Sequence, residues 1–229
     1  MKTPKVYLLL KSAVWAMSLL ALSPGLILAQ STIINQFNSA SEVSQWRFDF
    51  GGVTHTESFD PNVDGNNNPA SGSMKVVLGF SSSLSGNNKG AYTRDAFFPG
   101  VNGANFATLQ FDVKVDPSSA LDAFGNNGFF SIALRNTDNY NYIDQVNTDQ
   151  SLNSANGWVH INAPLTGPYD AIRALTWQLY GGPSQNIDGT VTLWFDNVIF
   201  TAAVVPEPSS LALASLGGLA LLILRPRRR

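Results

Sequence analysis

Side chains able to catalyse or coordinate are few and scattered in this chain. There are two histidines, His55 and His160, at no spacing that marks a pair. There is no cysteine, which excludes disulfide staples, thiolate zinc sites and a thiol nucleophile. Between residues 31 and 205 the only glutamates are Glu42 and Glu57. A glycosidase needs two facing carboxylates, and among the many aspartates no pair stands out. No G-x-S-x-G, H-E-x-x-H, P-loop or G-x-G-x-x-G pattern is present. The expectation is a protein that is not an enzyme. Asp60-Pro61-Asn62-Val63-Asp64-Gly65 places oxygens of Asp60, Asn62 and Asp64 at alternate positions before a glycine, as the opening of an EF-hand-like calcium loop does. Its twelfth position is Ser71 rather than glutamate, and the competing reading is an Asx/Gly turn.

A different chemistry is better supplied. Tyr92, Tyr140, Tyr142, Tyr180 and Trp194 fall off the dry faces of their segments and offer π-faces on which a pyranose can stack. Gln110, Asp112, Arg135 and Gln178 carry the amide, carboxylate and guanidinium groups that read hydroxyls. Trp46, Trp158 and Trp177 are expected in the core. The clusters Asn66-Asn67-Asn68, Asn87-Asn88 and Asn126-Asn127 are turn residues first, since asparagine tolerates positive φ, and they also suit sugar-binding loops.

These groups are positioned by short apolar runs separated by Asn, Gly, Ser, Asp and Pro. Strands are expected near 33–37, 46–50, 74–80, 91–97, 108–115, 129–135, 158–162, 174–180 and 190–200. Leu109, Phe111, Val113 and Val115 alternate with Thr108, Gln110, Asp112 and Lys114; Leu175, Trp177 and Leu179 alternate with Thr176, Gln178 and Tyr180. One dry and one polar face per strand implies an all-β, antiparallel sandwich. Residues 31–205 hold seven basic and fifteen acidic side chains, a net charge of −8. So acidic a body is poorly supplied to neutralise a row of phosphates, which argues against nucleic acid as the partner.

The ends read as addresses. Lys2, Lys5 and Lys11 precede the apolar run 13–22, then Pro24-Gly25 and Ala29, the three-part pattern of a secretory signal helix over 1–29 that signal peptidase removes. The domain is expected over 30–203. Pro206-Glu207-Pro208 is followed by an apolar run, 211–224, and by Arg225 and Arg227 to Arg229. Fourteen helical residues rise about 21 Å against a hydrocarbon core of about 30 Å, so a C-terminal transmembrane helix over 209–224 is a weak anchor. The arginines place the body on the outer side.

Residues 204–229 resemble the PEP-CTERM sorting tail of Gram-negative bacteria, also known as the ice-binding protein C-terminal domain. The resemblance implies that Pro206, Glu207 and Pro208 are recognised by exosortase, a membrane enzyme that cuts near the motif and releases the protein to the surface or exopolysaccharide matrix. The body resembles galactose-binding-like jelly-roll carbohydrate-binding modules, through Phe37, Gly72 to Val76, Gly157-Trp158, Leu175 to Leu179 and Leu193 to Val198. This resemblance implies a structural calcium held by Asp196 with Asn38 or nearby carbonyls. Together these readings predict an exported, non-catalytic polysaccharide-binding protein. Its site would lie on one sheet, with Gln110, Asp112, Arg135 and Gln178 beside Tyr180 or Trp194. The alternative is a structural matrix protein that self-associates through calcium, with a glycoside hydrolase a distant third.

Overall fold

The computed structural model describes residues 31–67, 71–95, 100–136, 142–167, 169, 171–181 and 187–202. The expected signal helix, the sorting tail with Pro206, Glu207 and Pro208, the transmembrane helix and Tyr140 lie outside them. Among the described residues no helix is long and apolar enough to cross a membrane.

These residues form eleven strands: β1 (Thr32–Asn35), β2 (Trp46–Gly51), β3 (Thr54–Asp60), β4 (Ser73–Phe80), β5 (Lys89–Arg94), β6 (Phe106–Val115), β7 (Phe129–Arg135), β8 (Tyr142–Ser151), β9 (Trp158–Pro164), β10 (Ala174–Tyr180) and β11 (Gly189–Ala202). One turn of helix, α1 (Ala40–Val43), precedes β2. The first sheet has the order β3-β4-β11-β6-β9, with β1 joined to the last part of β11; the second has the order β2-β5-β10-β7-β8. Every strand pairing is antiparallel.

Alternation built the central strands as expected. Met74, Val76 and Leu78 on β4, Leu109, Phe111 and Val113 on β6, and Val191, Leu193 and Phe195 on β11 are fully buried between the sheets. They meet Phe130 and Trp177 from the second sheet, with ring centroids of Trp177 and Phe195 5.7 Å apart and those of Phe111 and Phe130 5.3 Å apart. A buried aromatic of this size contributes several kcal/mol, and its loss costs about 3–5 kcal/mol.

Two strands were not expected. β3 (THTESFD) and β8 (YIDQVNTDQS) carry too few apolar residues to alternate. Each is an edge strand, β3 of the first sheet and β8 of the second. An edge strand is covered on one side only, so polar residues are tolerated along it and the two-residue hydropathy signal fades.

Candidate functional site

The outer face of the second sheet holds an open recess of about 110 Å³. Its floor is Thr176 and Gln178 of β10 with Ser131, Ala133 and Arg135 of β7; its walls are Phe50 of β2 and Tyr142 with Gln145 of β8. These strands span the sheet from one edge to the other, so the recess crosses four inter-strand gaps, about 19 Å at the usual spacing. Phe50 and Tyr142 are 37% and 59% exposed. Trp46, Phe48 and Phe50 share one parity, and a regular strand would turn all three inward. A bulge between Phe48 and Phe50 breaks the register with β5, so Phe50 pairs with Ala91 and emerges on the outer face.

The polar floor is oriented by a directed chain of hydrogen bonds. Arg135 Nε donates to Thr176 Oγ1 at 2.7 Å. Thr176 and Thr93 hydroxyls lie 2.7 Å apart, and Thr93 Oγ1 donates to Asp49 Oδ2 at 2.8 Å. A hydroxyl has one proton, so Thr93 spends its own on Asp49 and must accept that of Thr176. The guanidinium of Arg135 is thereby locked in plane, with Nη2 also 4.0 Å from Asp49 Oδ2. Arg47 in turn holds Asp49 and Asp95. The described residues lining the recess include no carboxylate and no imidazole. The recess can therefore stack, donate and accept, but its lining lacks the acid and base that cleave a glycosidic bond.

The expected site residues divide between the two sheets. Arg135 and Gln178 meet in the recess. Tyr180 shares that face but lies opposite Lys89, farther along β10 and outside the lining. Gln110, Asp112 and Trp194 are on β6 and β11 of the first sheet, on the opposite side of the sandwich. The single-sheet arrangement is thus corrected. Alternation tells which side chains leave the core, but both sheets turn a polar face outward, and the pattern does not say which sheet a strand joins. Trp194 is no open platform either: it is 7% exposed, Lys75 and Lys114 each place an ammonium 5.5 Å from its ring centre, and its Nε1 donates to Asp60 Oδ2 at 2.9 Å.

Two aromatics also change place. Tyr92, expected off the dry face, is fully buried and stacked on Trp177 with centroids 4.9 Å apart. Its hydroxyl donates to Glu57, and burial followed by that carboxylate raises the phenol's pKa far above its ordinary value. Trp158, expected in the core, is half-buried and pairs with Lys114 on the outer face of the first sheet. Phe50 and Gln145 were missed, and Tyr142 was only one candidate among several. The bulge and the irregular β7–β8 register that place them leave no periodic trace.

The acidic groups on the first sheet are committed to protein donors. Asp196 is fully buried, where β11 bulges and its neighbour changes from β4 to β1. Its Oδ2 accepts from the N–H of Gly65 at 2.9 Å and its Oδ1 from that of Asn197 at 2.7 Å. Burial pushes its pKa up to about 7, opposed by the two amides and helped by the hydrogen bond its protonated carboxyl donates to Asp64. Asn197, at a φ of 52°, donates to Asp112 Oδ2 at 2.8 Å and accepts from Asn66, and Asp112 Oδ1 meets His160 Nδ1 at 2.5 Å. The loop 60–67 closes over this cluster. A Cβ at Gly65 would lie 2.9 Å from Asp112 Oδ2.

Asp60 accepts from the backbone N–H of Asn62 and from Trp194, and the backbone N–H of Asn38 donates to Glu42. Among the described residues no three acidic or imidazole groups are arranged to hold a metal ion. Of the residues expected to hold calcium, Asp64 and Asp196 come together in the cluster, Asp60 sits beside Trp194 and Asn62, and Asn38 lies on the turn capped by Glu42. His55 stacks on Phe48 at the β3 edge and His160 lies on β9 at the other, so the histidines form no dyad. Glu42 caps the backbone N–H groups of Gln36, Phe37 and Asn38.

Residues 204–229 match the PEP-CTERM protein-sorting motif. The body is similar to solved structures. The family 11 carbohydrate-binding module of the cellulosomal cellulase Lic26A-Cel5E of Clostridium thermocellum superposes with a TM-score of 0.52 at 13% identity, covering 78% of this chain and 98% of that one. The sandwich has the jelly-roll fold of a carbohydrate-binding module. A family 29 carbohydrate-binding module aligns with a TM-score of 0.44 at 15% identity over 81% of this chain and 99% of that one. The CBM22-1–GH10 modules of xylanase 10B, also from Clostridium thermocellum, align with a TM-score of 0.47 at 16% identity, over 76% of this chain and 29% of that one. No curated protein matches the sequence.

Proposed function

We propose that this is an exported protein of the cell surface or extracellular matrix that binds polysaccharide without cleaving it. The PEP-CTERM tail supports export across the inner membrane of a Gram-negative bacterium and processing by exosortase, after a transient hold in the membrane. The binding reading rests on one observation above the others: a recess crosses the outer face of the second sheet with aromatic walls and a guanidinium fixed in its floor. In this reading a glycan chain lies across the strands. Sugar rings stack on Phe50 and Tyr142, and Arg135, Gln178 and Gln145 bond its hydroxyls.

The test is a panel of neutral polysaccharides, including the host's own exopolysaccharide, run by affinity electrophoresis. The wild-type chain is retarded by at least one of them, and Tyr142→Ala weakens that interaction about tenfold. Absence of retardation by every glycan removes the reading. Export is tested separately: Glu207→Ala with Pro208→Ala should leave the tail uncut and the protein in the membrane fraction.

A further inference from the structure

Strand register assembles a second feature on the outer face of the first sheet. Trp158 of β9 stands opposite Lys114 of β6, Lys114 opposite Trp194 of β11, and Trp194 opposite Lys75 of β4. Directly opposed residues share a face, so these four side chains form one row, Trp-Lys-Trp-Lys, across four neighbouring strands. Both ammoniums lie 5.5 Å from the centre of the Trp194 ring, within cation–π range. The Asp60 bond to Nε1 fixes the indole between them.

The charge of this row is out of keeping with its surroundings. Residues 31–205 carry seven basic side chains against fifteen acidic ones, yet two of the seven converge on a single tryptophan. Among the described residues neither ammonium is within salt-bridge distance of a carboxylate. Asp116 senses both lysines, but its carboxylate is turned to the backbone N–H and hydroxyl of Ser118, whose hydrogen bonds are the larger cause of its lowered pKa. Two cations are thus held near each other, and of the described acids beside them Asp60 is turned to Trp194 Nε1 and Asp116 to Ser118. At the end of the row the half-buried Trp158 lies on the edge strand β9, beside Lys114 and with no further strand beyond it.

We propose that this row is a second glycan site, selective for an acidic polysaccharide. A hexose ring stacks on Trp158, and the carboxylate or sulfate it bears is received by Lys114, with Lys75 taking an anionic group farther along the chain. The recess of the second sheet, with its aromatic walls and its one guanidinium already held by Thr176 and beside Asp49, takes uncharged sugars on the other side of the sandwich. A domain filled on both faces bridges two polysaccharide chains, so that it cross-links a matrix in addition to adhering to it.

The experiment uses the full chain in detergent, titrated calorimetrically with oligogalacturonate, with the same oligomer fully methyl-esterified, and with a sulfated glucan oligomer. At least one acidic oligomer binds, and the tighter of the two names the anion. Lys114→Gln and Lys75→Gln each weaken that binding about tenfold, the esterified oligomer binds at least as weakly as those variants do, and added salt lowers the affinity. Tyr142→Ala leaves it unchanged. Thermal unfolding verifies that the lysine variants, whose side chains are surface groups, remain folded. The proposal is overturned if neither acidic oligomer binds, if the esterified form binds as well as the acid, or if the lysine variants match wild type. It is also overturned if Tyr142→Ala is the change that abolishes acidic binding, since the ligand then sits in the other recess. Loss of neutral-glycan binding alone counts against the recess and not against this row.

Discussion

Replacing Asp196 by asparagine should change sign in its effect on stability between pH 4 and pH 8. The carboxyl is fully buried, and burial raises its pKa from 3.8 to about 7. A folded-state value above the unfolded one means that the native protein holds a proton the unfolded chain releases. The stabilisation that proton brings is complete below about pH 4 and is lost as pH rises to about 7. The difference between 3.8 and about 7 corresponds to roughly 4 kcal/mol as an upper bound on what wild type loses over that range. Asparagine does not ionise and escapes this loss, and its amide still donates to Asp64. It has one acceptor oxygen where the carboxyl has two, so either the Gly65 or the Asn197 N–H loses its partner, at about 1–3 kcal/mol. Asp196→Asn is therefore less stable than wild type near pH 4 by about 1–3 kcal/mol and more stable near pH 8 by a similar margin. Urea unfolding followed by tryptophan fluorescence at half-unit pH steps reads both. A constant penalty at every pH would mean that Asp196 holds the same charge in the folded and unfolded chain, contrary to its burial.

Further outcomes follow from the same contacts. Gly65→Ala drives a Cβ into Asp112 Oδ2 and Asn197 Nδ2, so the loop 60–67 must lift, at about 1–3 kcal/mol measured by urea unfolding. Glu42→Ala leaves the N–H groups of Gln36, Phe37 and Asn38 without their acceptor and lowers stability by about 1–3 kcal/mol, seen as a lower Tm. Thr176→Val breaks the chain that orients Arg135 and weakens neutral-glycan binding about tenfold in a calorimetric titration.

How far the sequence carried these conclusions can be traced residue by residue. β4, β6, β10 and β11 are covered on both sides, so their apolar residues had to alternate and were legible. The edge strands β3 and β8 had no such obligation, and β8 brings Tyr142 and Gln145 to the recess. Phe50 was hidden because one extra residue in β2 reverses its direction, and a bulge is a backbone event without a hydropathy signature. Arg135 and Gln178 were found together because their strands are neighbours. Trp194 and Asp112 were grouped with them wrongly because sheet membership is decided by long-range pairing. Of the aspartates expected to hold calcium, Asp60 and Asp196 accept from backbone amides and an indole, partners that only the long-range fold brings to them.

A glycan bound as proposed lies across the second sheet. Chemical-shift mapping of the isotopically labelled chain during titration with a neutral oligosaccharide selected from the panel tests it most directly. The largest shifts should fall on Phe50, Ser131, Arg135, Tyr142, Gln145 and Gln178, strand by strand across the sheet, while Trp194 and its neighbours stay still. Shifts confined to the first sheet or to the loops at the ends of the sandwich, with the recess unmoved, would contradict it.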